Sequence, residues 1–132
     1  MNKAILHPEV QDFILNNRKE DLAKLIMKGS PFSEVSIQEI ATQISAINKA
    51  EKKLPTWFSH KNIMYPEALN LEQTSSESTA EYKAALVSGE DLIDLTGGFG
   101  IDDYYFAQIF KNVTHCEMNL DLSKIVSHNF EV

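Results

Sequence analysis

Cysteine is almost absent from this sequence. Cys116 is the single thiol in 132 residues, which excludes an internal disulfide and suits a reducing compartment. Long apolar runs are missing too, and nothing approaches the roughly 20 consecutive apolar residues of a membrane-spanning helix. The opening MNKAILHPEVQ lacks the apolar core and small-residue cleavage site of a secretory signal. These absences point to the cytoplasm and away from a membrane partner. No His/Cys spacing supports a metal site: His115 and Cys116 are neighbours on a strand-like run and point to opposite faces. His7, His60 and His128 have no partner in the pattern, and Cys116 reads as a small buried hydrophobe. There is no internal repeat or low-complexity tract.

Basic residues are scarce in the middle of the chain. The whole carries 12 Lys/Arg against 19 Asp/Glu, a net charge of −7. Residues 1–65 hold nine basic and seven acidic side chains, whereas residues 66–103 hold nine acids and only Lys83. That segment is unlike a phosphate-binding surface. It is either a solvated acidic face or a pocket for a cationic or amine-bearing ligand.

What is present in the first half is helical periodicity. Pro8 opens a helix with Val10, Phe13 and Ile14 on one face. Residues 18–28 repeat the spacing with Leu22, Leu25 and Ile26, and Gly29 follows as a stop. Ser36 and Glu39 have capping-box spacing ahead of a stripe of Ile37, Ile40, Ile44 and Ile47. Lys49, Lys52 and Lys53 suit the last turns of that helix, although nucleic-acid contact is the other use of such a cluster. Pro55 ends it. Residues 55–72 have two prolines and no clear period, and read as an ordered connector pinned by Trp57, Phe58 and Tyr65. Ser78 and Glu81 again have capping-box spacing, ahead of Ala80, Ala84 and Leu86 on a core-facing side.

From Asp91 the pattern becomes strand, turn, helix, strand, helix. DLIDL reads as a short buried strand, TGGFG as the turn and IDDYYFAQIFK as an amphipathic helix with Tyr105/Ile109 and Phe106/Phe110 four apart. NVTHCE is a second strand, and LDLSKIVSHNF a second helix with Leu122, Ile125 and Val126 on one side. This alternation indicates α/β architecture with two parallel strands side by side.

Glycine is also scarce, and three of the five glycines are Gly97, Gly98 and Gly100. A strand-to-helix turn directs backbone N–H groups beyond the strand ends, and glycines let a ligand approach without a Cβ in the way. Asp94 closes the first strand, and Glu117 stands at the end of the next, where doubly wound folds place an acid on the hydroxyls of a ribose. The combination predicts an adenosine-bearing ligand. A dinucleotide fingerprint would need glycine at Asp103, and the lysine of a nucleotide-phosphate loop is absent. Pyrophosphate would sit badly among Asp94, Asp102 and Asp103. S-adenosylmethionine, with a sulfonium, an ammonium and a carboxylate but no phosphate, suits the pattern better. Asp102 and Asp103 read otherwise as acids favouring a helix start, and Tyr104, Tyr105 and Phe106 as packing.

DLTGGFGIDD with HCEMN resembles the first two motifs of class I S-adenosylmethionine-dependent methyltransferases. KKLPTW and YPEALNLEQTSSESTAEYKAAL narrow the resemblance to the bacterial THUMP-domain-like methyltransferases typical of Bacteroidetes. It covers most of the chain from about Lys52. The resemblance implies that Asp94, Gly98 and Gly100, with Thr96 and Gly97 of the same turn, line the methionine and ribose part of the cofactor. It implies that Glu117 holds the ribose hydroxyls, that Gln73, Ser75, Ser76 and Thr79 cover the cofactor, and that RNA is the methyl acceptor.

The expected organisation is a helical N-terminal domain (1–54), a connector (55–72) and the opening βαβα of a Rossmann-like domain (73–132). Two parallel strands do not bury both faces of a doubly wound sheet. The chain therefore reads as the N-terminal part of such an enzyme, inactive alone, with catalytic groups expected beyond Val132. The alternative is a non-catalytic helical interaction module whose α/β tail associates, for example as a homodimer through the incomplete sheet.

Overall fold

The fold is built around one long helix. The computed structural model describes residues 1–132. After a 3-10 turn at Lys3–Leu6 come α1 (Pro8–Asn17), α2 (Leu22–Lys28) and α3 (Ile37–Lys53). α3 starts at a complete capping box: the Ser36 hydroxyl accepts from Glu39 N at 3.2 Å, and the Glu39 carboxylate accepts from Ser36 N at 2.8 Å. Ile37, Ile40, Ile44 and Ile47 are all buried, and α1, α2, α4 (Pro55–Ser59) and α5 (Ala68–Gln73) pack around that helix. α2 begins four residues later than the periodicity suggested, because Asp21 accepts from Ala23 N and Lys24 N and fixes the start there.

The connector is not aperiodic. It holds the two short helices α4 and α5, and both are stabilised by side chains far away in sequence. α4 has no cap of its own; Glu77 supplies one, accepting from Thr56 N at 2.7 Å, Trp57 N at 3.4 Å and the Thr56 hydroxyl at 2.8 Å. The last carbonyls of α5 accept from Lys53, Leu71 O at 3.0 Å and Glu72 O at 2.8 Å, and Lys49 pairs with the Glu72 carboxylate. Two lysines of the cluster thus serve the end of a neighbouring helix. Between these helices, Met64 and Tyr65 are clasped by two buried amides. Gln43 of α3 bonds both the N–H and the C=O of Tyr65, and Asn129 bonds those of Met64.

α6 (Glu77–Ala85) is capped by Ser76, which accepts from Thr79 N at 3.2 Å, and not by the Ser78/Glu81 pair. Ala80 and Ala84 face the core, while Leu86 is exposed. β1 (Asp91–Asp94) and β2 (Asn112–His115) are parallel, with Asp91 opposite Asn112 and Asp94 opposite His115. α7 (Ile101–Phe106) connects them and packs on α6; it stops short of Lys111 because the chain turns at residues 107–109 to enter β2. The sheet is not buried on both sides. Ile93 is 63% and Leu95 76% exposed, since no element of the chain covers that face.

α8 (Leu120–Asn129) is capped by Asn119 and buries Leu122 and Val126. One continuous cluster of 22 buried apolar residues runs from Ile5 to Val126, so the helical and α/β parts share a core. No helix is long and apolar enough to cross a membrane.

Candidate functional site

The three clustered glycines are required for three different reasons. A Cβ on Gly97 would lie 2.1 Å from His115 Nδ1, so this glycine makes room for a ring of the fold itself. Gly100 has φ +78°, and a Cβ there would meet Phe130 at 2.8 Å and Val126 at 2.9 Å; it lets α8 close on the turn. Gly98 has φ +55°, but a Cβ would meet only the Thr96 carbonyl at 3.8 Å. Of the three, Gly98 presents bare backbone to open space.

That space is a cavity of about 440 Å³ beyond the carboxyl ends of the two strands. Its lining is mostly polar. Gln73 ends α5 and Ser75 lies in the loop before α6; Thr96, Gly97 and Gly98 come from the turn, and Glu117 stands two residues past β2. The sequence-derived residues Asp94, Gly100, Ser76 and Thr79 do not line it. Asp94 instead supports the turn, accepting from Thr96 N at 2.8 Å. Ser76 and Thr79 are engaged in the α6 cap, with their hydroxyls 2.8 Å apart.

Glu117 spans the base of the site. One carboxylate oxygen accepts from Gly98 N at 3.1 Å and the other from Asn119 N at 2.7 Å. The ladder continues into the turn: Cys116 N donates to Asp94 O and Gly97 N donates to Cys116 O, each at 2.9 Å. Cys116 is half-buried and contributes backbone, contrary to its reading as a buried hydrophobe.

Sequence reasoning missed Asn70, Thr74, Lys83, Phe99, Asp102, Asn119 and Leu122 as lining residues. Lys83 was the one with a visible signal, as the lone base in residues 66–103. Its Nζ donates to Ser75 Oγ at 2.8 Å and Asp102 Oδ2 at 2.9 Å, and Ser75 Oγ donates to the same Asp102 oxygen at 2.9 Å.

Asp103 points the other way, into the protein. It is 2% exposed and its Oδ2 lies 2.5 Å from His115 Nδ1. Burial holds its carboxyl above the usual carboxylate range; the His115 hydrogen bond opposes this, and the Asp94 charge adds to it. The pair ties α7 to β2 beneath the glycine turn. Trp57 packs edge-on against Tyr104, with ring centroids 4.6 Å apart, which confirms a packing role for that tyrosine. The chain has no group of three or more His, Cys, Asp or Glu side chains placed to hold a metal.

No protein-family model and no curated protein matches the chain. Among solved structures, 98% of the chain is similar to the crystal structure of a putative methyltransferase from Porphyromonas gingivalis W83, with a TM-score of 0.80 and 25% sequence identity. The chain spans 32% of the length of that protein. Its mixed architecture, mostly helical with a small two-stranded parallel sheet, is thus a methyltransferase-like fold.

Proposed function

We propose that this chain forms the cofactor-binding part of an S-adenosylmethionine-dependent methyltransferase of class I. In this reading residues 73–132 open a Rossmann-like domain, residues 1–54 form a helical domain, and residues 55–72 connect them. The observation that carries it is the meeting of the bare Gly98 backbone with the Glu117 carboxylate, 3.1 Å apart, at the carboxyl ends of two parallel strands. The similarity to a putative methyltransferase supports the same reading, as does the resemblance of DLTGGFGIDD and HCEMN to motifs of that class and of its Bacteroidetes THUMP-domain-like branch.

The residues present fit the cofactor. Gly98 leaves the approach open, Glu117 offers acceptors for ribose hydroxyls, and the polar lining has room for a ligand of that size. When bound, the sulfonium supplies an activated methyl group. The chain's own residues bind and orient: Asp94 holds the turn, and Gln73 and Ser75 close one side of the cavity. RNA is the proposed acceptor and the cytoplasm the proposed location, the first from the resemblance and the second from the single cysteine. The test is calorimetric titration of S-adenosylmethionine into the chain. Binding that Glu117→Ala weakens strongly is the expected result; tighter binding of NAD than of S-adenosylmethionine overturns the proposal.

A second reading is favoured by the bare sheet face. Ile93 and Leu95 leave an apolar surface beside an unpaired strand edge, which suits association with a second copy. A dimer in solution that Ile93→Lys dissociates supports this reading; a monomeric mass at all concentrations removes it.

A further inference from the structure

His115 makes two contacts at once beneath the glycine turn. Its ring lies directly against Gly97, where a Cβ would meet Nδ1 at 2.1 Å and Cε1 at 2.3 Å. The Gly97 backbone is not left-handed, so the His115 ring is what requires glycine there. On its other side, Nδ1 lies 2.5 Å from Asp103 Oδ2, with the His115 side chain 15% and that of Asp103 1% exposed. Gly97 anchors the turn: its N–H donates to Cys116 O and its carbonyl accepts from Gly100 N, each at 2.9 Å. The next N–H, of Gly98, meets Glu117. The outer atoms of the pair, Asp103 Oδ1 and His115 Nε2, are buried without partners. A ring with so few polar contacts depends on the proton shared between Nδ1 and Oδ2.

We infer that His115 is a positioning residue for the cofactor turn, and that its hydrogen bond to Asp103 puts the turn under proton control. The inference rests on the S-adenosylmethionine reading of the cavity and adds what holds its backbone wall in place. With Asp103 ionised, Oδ2 accepts from Nδ1–H and the ring stays against Gly97. When both groups are protonated, a donor faces a donor and the ring loses its tether. Gly97 then loses its support, and the Gly98 N–H its alignment with Glu117. Burial holds the Asp103 carboxyl above the usual carboxylate range; the His115 hydrogen bond opposes this, and the Asp94 charge on β1 adds to it. Release therefore begins at a higher pH than an exposed carboxylate would set. Of the other titratable groups, Glu117 bonds the turn itself, and His60 of α4 lines the same cavity as the pair. The end of α8 presents Asn129 and Phe130 to that cavity, and Lys83 and Asp102 pair with each other.

The experiment is calorimetry of S-adenosylmethionine between about pH 5 and about pH 8, with a thermal melt of each protein at every pH to show that it is folded. The wild-type chain is compared with Asp103→Asn, His115→Ala, Gly97→Ala and the His115→Ala/Gly97→Ala double variant. Wild-type affinity is expected to fall by about tenfold or more towards the acid end, the size of a lost charge-assisted hydrogen bond. Asp103→Asn offers Nδ1–H an amide oxygen that does not titrate, so it should bind like wild type near neutral pH and lose the acid limb. Glu117 is present in every variant, so any acid sensitivity of its own is common to all. His115→Ala should weaken binding at every pH, and Gly97→Ala should abolish it. The double variant should recover part of the affinity, because the new methyl occupies space the ring has left. A flat wild-type profile, the same acid limb in Asp103→Asn, or unchanged affinity in His115→Ala overturns the inference while leaving the cofactor reading intact. Absence of binding by the wild-type chain at every pH overturns both.

Discussion

The region around α3 and the region around β1 and β2 are built on different terms. α3 is closed by a capping box four residues wide and covered on its apolar side by helices from both directions along the chain. Its isoleucine stripe is buried to the last residue. The sheet has the same kind of apolar side chains but covers only one face, so Leu92 and Val113 are half-buried while Ile93 and Leu95 stand in solvent. Local sequence sets where α3 begins, whereas the glycine turn and sheet are ordered mainly by what packs beneath them: the Asp103–His115 pair, Phe130 and Val126.

Truncating one isoleucine in each region should separate them most. Ile44→Ala, at a fully buried site, is expected to cost about 2–5 kcal/mol of unfolding free energy. Ile93→Ala should stay within about 0.5 kcal/mol. Urea denaturation of both variants checks this, and a comparable loss in each would mean that the sheet face is covered in solution.

Glu77 joins the two regions, since its carboxylate caps α4 and also accepts from the Tyr105 hydroxyl at 3.4 Å. Glu77→Ala leaves buried donors unpaired and is expected to cost about 1–3 kcal/mol. The loss should be accompanied by a change in Trp57 fluorescence, because Trp57 N is one of those donors.

Gly100→Ala combines a left-handed backbone with a clash against Val126 and Phe130, and should cost more stability than Gly98→Ala, which carries only the backbone term of about 1–2 kcal/mol. For S-adenosylmethionine affinity the order should reverse once both variants are folded, with Gly98→Ala the more damaging. Paired thermal melts and titrations measure both.

Stability should also depend on alkaline pH. Burial, with the Glu77 charge second, raises the Tyr65 hydroxyl well above its ordinary value of 10.0. The unfolded chain ionises first, so the stabilisation is complete below pH 10 and is lost as pH rises towards the folded-state value. Tyr65→Phe should flatten this alkaline limb. Some slope should remain, because burial and Glu77 raise Tyr105 in the same direction. Denaturation midpoints between pH 8 and pH 11 report it.

Much of this molecule could be read from its residues in order. The α1 and α3 starts, the Gly29 stop and the two parallel strands all rest on signals within a few residues or on one βαβ connection. Helix and turn formation are short-range, so a capping serine or a left-handed glycine is visible in a window of four to six residues. The rest depended on side chains that arrive from elsewhere. α4 exists because Glu77 reaches it across about twenty residues, α5 ends on Lys53, and Met64 and Tyr65 are held by Gln43 and Asn129. The clashes that require glycine at 97 and 100, with the His115 ring and with α8, are invisible in sequence, and Lys83 enters the cavity only because α6 lies against α7. Local backbone preferences and hydrophobic period were enough to set α1, α3, the two strands and the glycine turn. The tertiary structure alone decided which polar groups meet, because a buried donor or acceptor takes its partner from whichever segment packing brings within hydrogen-bond reach.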